Sequence, residues 1–285
     1  LNFFKEPSFW EREWLKAKQN SRAARHRGGG KSKEYWDRRV AGFASLKNNP
    51  QSKKRVKKVL DLLQYWGEFS SAERVLDMGC GTGNYALPLA EKVGEVVALD
   101  VSPRMLEVLR RSKEEESKEN IQIVEGDWKE IELEKMGWKK AFDIAMAIMS
   151  PTVEDVSTLK KMMEASRRLC FLAGHLKREE SGQDELWRQI FKEEPPPVCP
   201  DLFYIFHLLF AWGYDPFFVT EKRNEVRLMK EEEAAEHFLN FFFPYLDLNE
   251  EIETKIRGYV RSNLEDGIFK QEIKIRVGYL SWEVK

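Results

Sequence analysis

ERVLDMGCGTGNYALPLA, residues 73–90, is the stretch from which the rest of the chain can be ordered. A short apolar run ends on Asp77, alternating glycines follow at Gly79, Gly81 and Gly83, and an apolar helical pattern resumes after Asn84. The pattern reads as a strand, a tight turn and a helix. Alternating glycines let the backbone take positive φ and bring a ligand against the main chain with no Cβ in the way, and the helix adds its free N–H groups. Such a turn binds a cofactor closely.

What the turn lacks narrows the choice. A dinucleotide fingerprint, G-x-G-x-x-G, needs glycine where Asn84 stands, and a triphosphate loop needs Gly-Lys-Ser/Thr, whereas this turn has no basic residue. Two carboxylates take their place. Asp77 ends the first strand and Asp100 ends the next, VVALD, 17 residues after Gly83. The first suits an ammonium group or an ordered water, and the second suits a ribose diol.

With these residues the chain resembles the class I S-adenosylmethionine-dependent methyltransferases of small-molecule type. The element D-x-G-x-G-x-G stands as Asp77 to Gly83, the acidic strand end as Asp100, followed by Val101-Ser102-Pro103-Arg104-Met105, and NIQIVEGDW (residues 120–128) matches the third strand and its Gly-Asp pair. The resemblance covers roughly residues 54–174. It implies S-adenosylmethionine as cofactor and S-adenosylhomocysteine as product. It further implies that the glycine turn holds the methionine moiety, Asp100 the ribose hydroxyls, Met105 one adenine face and Asp127 the adenine amino group. Cys80, Val101, Gly126 and Trp128 fall among the cofactor-binding positions. Met105 could equally be core filler, Asp127 a helix cap, and Cys80 a packing residue rather than a nucleophile.

Around this element, strands at residues 74–77, 96–100, 121–125, 142–149 and 169–174 alternate with helices at 85–92, 103–116, 128–135 and 153–166. Alternation of this kind gives right-handed crossovers and a parallel sheet covered on both faces. The expected fold is α/β: a seven-stranded, mostly parallel, doubly wound sheet with an N-terminal helical extension and a helical insertion before the last strand. In the resembled fold that last strand is antiparallel. After residue 174 the pattern is irregular: a helix at 181–192, a proline stop, the apolar helix LFYIFHLLFAWGY, a strand at 215–229, helices at 230–243 and 248–264, and a closing strand at 273–284. The expected division is an extension and lid helix at 1–52, a core at 53–229 and 268–285, and an insertion at 230–267 that shapes the acceptor pocket.

Composition excludes several classes. The 285 residues carry 47 basic and 48 acidic side chains, so the global field does not recruit nucleic acid. No apolar run approaches the roughly 20 residues of a membrane span, and the first residues lack a signal peptide's apolar segment, which points to a cytoplasmic protein. Three scattered cysteines and four dispersed histidines give no disulfide framework and no metal site.

Two further features bear on function. Tyr35, Trp36, Val40, Phe43 and Leu46 recur at helical spacing, as in a helix over residues 34–46 that either only packs on the sheet or folds over the cofactor, with Tyr35 near the sulfonium and Arg39 on the methionine carboxylate. Methyl transfer mainly requires alignment, and the candidates for a proton acceptor are His175, after the fifth strand and foremost among them, and Ser150, Glu154 and Asp155 after the fourth. MAIMSPTVED lacks the Asn/Asp-Pro-Pro-Tyr/Phe element of base-methylating enzymes. Aromatics between Tyr204 and Phe243 point to a sizeable apolar pocket or subunit contact, with most of them in the core. The leading expectation is a methyltransferase of a small, partly apolar metabolite, as a monomer or homodimer. The alternatives are an RNA or protein methyltransferase using Arg22, Arg25, His26, Arg27, Lys31, Lys33, Arg38 and Arg39, and a cofactor-binding regulator without transfer activity. A flexible, solvated tail accounts for the same charges.

Overall fold

Short β-rich runs bounded by turn residues form the strands of one sheet. The computed structural model describes residues 6–26, 33–67 and 69–285. The strands β1 (Arg74–Met78), β2 (Glu95–Asp100), β3 (Ile121–Glu125), β4 (Phe142–Ile148) and β5 (Ser166–Glu180) are parallel, and β6 (Phe217–Lys230) lies at the far edge. The two-residue β7 (Leu264–Glu265) pairs only with β8 (Ile268–Glu283), and β8 runs antiparallel between β5 and β6. The order is β3-β2-β1-β4-β5-β8-β6, which is the expected sheet with β7 added off its path.

Helices cover both faces. The helix α4 (Pro50–Gly67) buries Val59, Leu60 and Leu63 with Leu106 and Leu109 of α6 (Pro103–Glu115) on one face. On the other, α8 (Val156–Ala165) and the apolar α10 (Asp201–Ala211) pack against β4 and β5, with α1 (Pro7–Gln19) against α10. Trp14 of α1 is buried there, its indole donating to Asp201 at 2.6 Å. Between these layers, α5 (Ala86–Leu89) is a single turn where residues 85–92 were expected to be helical, and α7 (Leu133–Met136) is shorter and later than expected.

The main departure lies beyond residue 174. Parallel pairing of β4 with β5 ends at Ile148↔Ala173, but β5 continues against β8 to Glu180↔Ile273, and β8 against β6 to Ile268↔Lys230. Three long strands thus project past the carboxyl ends of the parallel sheet as an antiparallel arm. The closing strand begins at Ile268 rather than residue 273, and β5 ends at Glu180 rather than residue 174. Charged residues such as Lys177 to Glu180 hide a strand from hydropathy, because an antiparallel arm can present one face to water. Its inner face is capped by α9 (Gln183–Phe191), α11 (Glu231–Phe242) and α12 (Glu250–Ser262), which enclose a separate core around Trp187, Phe238, Phe242 and Phe269.

This division accounts for the aromatics between Tyr204 and Phe243, most of which were expected in the core. Tyr204, Phe206, Trp212, Tyr214 and Phe218 pack on the core beside α10, whereas Phe241 and Phe242 belong to the arm's core. The aromatics serve two cores, and Phe217 is exposed. Among the described residues no helix is long and apolar enough to cross a membrane, no His, Cys, Asp and Glu group could hold a metal, and all three cysteines are free.

Candidate functional site

The glycine turn is pinned from below. Gly79 and Cys80 donate their backbone N–H groups to the Leu99 carbonyl at 2.7 and 3.0 Å, so the turn after β1 follows the end of β2. All three glycines have positive φ. They differ in what lies above them. A Cβ on Gly79 would overlap the Ser150 hydroxyl and one on Gly83 would overlap Leu109, whereas one on Gly81 would meet nothing within 4 Å. Gly79 and Gly83 are therefore glycines of packing, and Gly81 is the position with open space over its backbone. Cys80 is buried, and burial ahead of the nearby Asp77 and Asp100 charges raises its thiol pKa well above the ordinary value, which fits packing rather than nucleophilic work.

The two carboxylates face this space with different degrees of satisfaction. Asp100 accepts the N–H of Gly81 at 2.8 Å and that of Ser102 at 2.9 Å, one on each oxygen, and so holds the turn and the start of α6 together. Burial raises its pKa. Each oxygen keeps a second lone pair, the acceptor capacity a vicinal diol requires. Asp77 is almost wholly buried, and its Oδ2 has no hydrogen-bond partner among the described residues. Burial, and secondarily the Asp100 charge, push its pKa up to about 7. A buried carboxylate oxygen without a donor is a costly feature that a bound ammonium group would remove.

The remaining expected positions lie along the same edge. Met105 is buried on α6, its N–H capped by the Ser102 hydroxyl at 3.1 Å, and Val101 is half-buried beside it. Gly126 donates to the Asp100 carbonyl at 3.0 Å, and Asp127 is exposed and accepts from Lys129 N–H at 2.9 Å. Trp128 points into the core behind β1 and β2, its indole donating to the Thr158 carbonyl at 3.2 Å.

The expected lid helix is broken. Residues 34–46 form α2 (Lys33–Asp37) and α3 (Val40–Ser45), separated at Arg38 and Arg39, where Arg39 N–H closes a tighter turn onto Trp36. The segment docks over the ends of β2 and β3, with Ser102 donating to Asp37 at 2.6 Å and Lys33 paired with Glu125 at 2.7 Å. Tyr35 and Arg39 remain in contact through the phenol oxygen. The other basic residues are not a solvated tail: Arg22 pairs with Asp184 at 2.9 Å, Arg25 with Glu193 at 3.2 Å, and His26 meets the Tyr245 hydroxyl at 3.1 Å, tying this stretch to the arm. Arg27 and Lys31 lie outside the described residues.

His175 sits where β5 leaves the parallel sheet, and a β-bulge between it and Lys177 turns Arg178 and Glu180 onto its face. Arg178 Nη1 lies 3.3 Å from His175 Nε2, and an arginine can only donate, so Nε2 is the accepting nitrogen. Burial, then the Arg178 and Arg223 charges, lower the imidazole pKa to about 3, and the ring is neutral at pH 7. Beside it, Arg227 reaches Gln271 at 3.1 Å and His237 at 3.2 Å, and Tyr85 stands near both Asp77 and Arg223. Periodicity hides this cluster. A regular strand would set His175 beside residues 177 and 179, and only the bulge and the pairing of β6 with β8 unite His175, Arg178, Arg223 and Arg227.

Comparison with known proteins agrees with this geometry. A family model described as a methyltransferase domain matches residues 75–170. A 23S rRNA (uracil(1939)-C(5))-methyltransferase of Pasteurella multocida is 33% identical over 70 residues, which are 25% of this chain and 16% of that protein. A demethylmenaquinone methyltransferase of Lactococcus lactis is 39% identical over 64 residues, 21% of this chain and 25% of that one. The chain thus spans a quarter or less of the length of these relatives. The fold is shared with the YcgJ protein of Bacillus subtilis, at 16% identity and a TM-score of 0.54 over 79% of this chain and 97% of that one. The methyltransferase-domain match at residues 75–170 thus falls on a turn with one open glycine, two carboxylates at adjoining strand ends and a sheet with its last strand reversed.

Proposed function

We propose that the protein binds S-adenosylmethionine at the glycine turn and transfers its methyl group to a small metabolite held between the turn and the arm. The observation that carries the reading is the pairing of an open backbone at Gly81 with the unpartnered Asp77 Oδ2. In this reading Asp77 takes the ammonium group, Asp100 the ribose hydroxyls, Asp127 the adenine amino group, and Met105 supports the adenine ring. The cofactor supplies a methyl group already activated by the sulfonium. What the chain must do is align the acceptor and keep water out.

Several observations support a small acceptor. Arg22, Arg25 and Lys33 are engaged with carboxylates of the same chain, so they do not form a free phosphate-binding row. The rings of His26, Tyr35, Trp36 and Tyr245 gather near Arg39, giving this region apolar as well as polar surface. His175 is the proposed proton acceptor. Its Nε2 lone pair is occupied by Arg178, so it can take a proton only after that guanidinium is drawn to another anion.

Calorimetric titration with S-adenosylhomocysteine tests the first step, with saturable 1:1 binding as the expected result and no binding as the result that sinks it. Release of S-adenosylhomocysteine from labelled cofactor in the presence of a metabolite extract separates an enzyme from a cofactor-binding regulator. Retention of the label in a nuclease-sensitive fraction would point instead to an RNA acceptor.

A further inference from the structure

The inner face of the arm is charged where a sheet packed beneath helices is ordinarily apolar. On β5 it carries Arg178 and Glu180, and on β6 it carries Arg223, Glu225 and Arg227, brought into line by the register Arg178↔Ile275↔Arg223 and Glu180↔Ile273↔Glu225. The carboxylates do not balance the guanidiniums. Glu180 pairs with Arg178 through Oε1 at 2.5 Å, whereas its Oε2, 4.0 Å from Arg227, has no hydrogen-bond partner among the described residues. Glu225 serves Arg55 of α4 at 3.2 Å and reaches Arg223 only at 3.8 Å. With Glu221 on the same face of β6, near Arg223 and paired with Lys58 at 2.9 Å, three arm guanidiniums, Arg55 and Lys58 face three carboxylates.

Arg223 shows the deficit most directly. Its side chain is 15% exposed, and its Nε is a buried donor with no hydrogen-bond partner among the described residues. A buried, charged donor left unmet is expensive, and its cost falls when an oxyanion fills the gap. Guanidinium forks match the paired oxygens of carboxylates and phosphates. Two neutral histidines complete the surroundings: His175 beside Arg178, and His237 beside Arg227. Both are kept uncharged first by burial and then by these arginines, so neither competes for an anion.

The position ties the cluster to the glycine turn. Tyr85, at the start of the helix after the turn, lies within electrostatic range of Asp77 on one side and Arg223 on the other. We infer that Arg178, Arg223 and Arg227 form a seat for an oxyanion on the methyl acceptor, which makes the acceptor a carboxylate- or phosphate-bearing small molecule. The inference rests on the methyltransferase reading for the identity of the ligand as acceptor, but not for the existence of the seat. A competing occupant is the carboxylate of the cofactor's own methionine moiety, and the test must separate the two.

The experiment follows the His175 and His237 imidazole signals by NMR in the full-length protein while inorganic phosphate, and separately acetate, replaces chloride at constant ionic strength and pH. Each titration is run without and with saturating S-adenosylhomocysteine. Expected is a saturable shift of both histidines with at least one of the two anions that persists when the cofactor product is bound. A stronger response to phosphate than to acetate would assign a phosphorylated acceptor, and the reverse a carboxylic acid. Arg223→Gln should weaken the response at least tenfold, and Arg223→Lys should restore part of it. No specific shift with either anion would overturn the seat. A shift that S-adenosylhomocysteine abolishes would assign the arginines to the cofactor carboxylate and overturn the acceptor proposal. Failure of S-adenosylhomocysteine to bind in the parallel calorimetry would remove the methyltransferase reading while leaving the anion response to stand or fall by itself.

Discussion

The glycine turn and the arm meet around Tyr85 with opposite charge. On the turn side Asp77, Asp100 and Asp37 cluster at the ends of β1 and β2 and on α2, and on the arm side Arg178, Arg223 and Arg227 line β5 and β6. The Tyr85 phenol is pushed up to about 12, first by burial and also by Asp77, against the downward pull of Arg55 and Arg223. The two sides are also built differently. The turn is made by neighbours in sequence and held by backbone N–H groups, whereas the arm joins residues about 50 apart through strand register. In the proposed function, the cofactor's sulfonium and ammonium go to the first side, and the acceptor's anion to the second.

The sharpest way to break this contrast is to fill the open backbone. Gly81→Val should lower S-adenosylhomocysteine affinity at least 100-fold, about 3 kcal/mol, because the new side chain takes the space that the turn leaves free. The positive φ adds a strain of about 1–2 kcal/mol to folding, so thermal melting should accompany calorimetry. Affinity within tenfold of wild type in a folded variant would remove the turn from the cofactor site. Asp100→Ala comes next, with an expected loss of about 1.5–3 kcal/mol in cofactor binding, the scale of hydrogen bonds to a charged group. Because Asp100 also holds the Gly81 and Ser102 N–H groups, its removal should lower the melting temperature too.

The difference in construction explains what was legible in the sequence. Asp77, Gly79, Gly81, Gly83 and Asp100 lie within 24 residues, and each states its geometry locally, through positive φ or a strand end. The sheet order follows from alternation and handedness. Of the arm, the strand at 215–229 was legible close to its true bounds, but the continuation of β5 past residue 174 was not, because HLKREE alternates charge with charge and carries no apolar stripe. The bulge at His175/Lys177 further shifts the face by one residue, so a period of two assigns Arg178 to the wrong side. The lid helix was read from its apolar spacing, but spacing does not report the tight turn at Arg39.

Acid and base should expose the two sides with opposite sign. His175 has a folded pKa near 3 and His237 near 4, both below the ordinary 6.5, so their contribution to stability is full above about pH 6.5 and is lost as pH falls. At pH 5 each should cost about 2 kcal/mol relative to pH 7, and His175→Gln should flatten this limb of a denaturation series. Asp77 behaves in reverse. Its folded pKa near 7 exceeds the ordinary 3.8, so stability declines as pH rises between those values. Cofactor binding then requires the carboxylate, and affinity should fall by up to about tenfold per pH unit below 7, or 1.4 kcal/mol. Asp77→Asn should bind weakly and without this dependence, whereas an unchanged slope in that variant would place the titrating group elsewhere.

The smallest effect concerns the segment that bridges the two sides. Asp37 and Lys33 already hold α2 to the ends of β2 and β3, and Arg38 lies over the Phe243 ring at 3.8 Å on the arm side. Arg39 contacts Tyr35, and its charge adds slightly to the lowering of the Arg227 and His237 pKa values that burial chiefly causes. A segment docked before the cofactor arrives gains little further order from it, so closure as a lid should change its local opening by only about 1 kcal/mol, a fewfold effect. Trypsin cleavage after Arg38 and Arg39 measures that opening directly, because the peptide bond must leave its turn to enter the protease. Saturating S-adenosylhomocysteine should slow cleavage there about threefold to fivefold, while cleavage after Lys274 on the outer face of the arm stays constant. Equal rates at Arg38 and Arg39 with and without the ligand would reject the lid, and leave the segment as a fixed strut between the carboxylates of the turn and the guanidiniums of the arm.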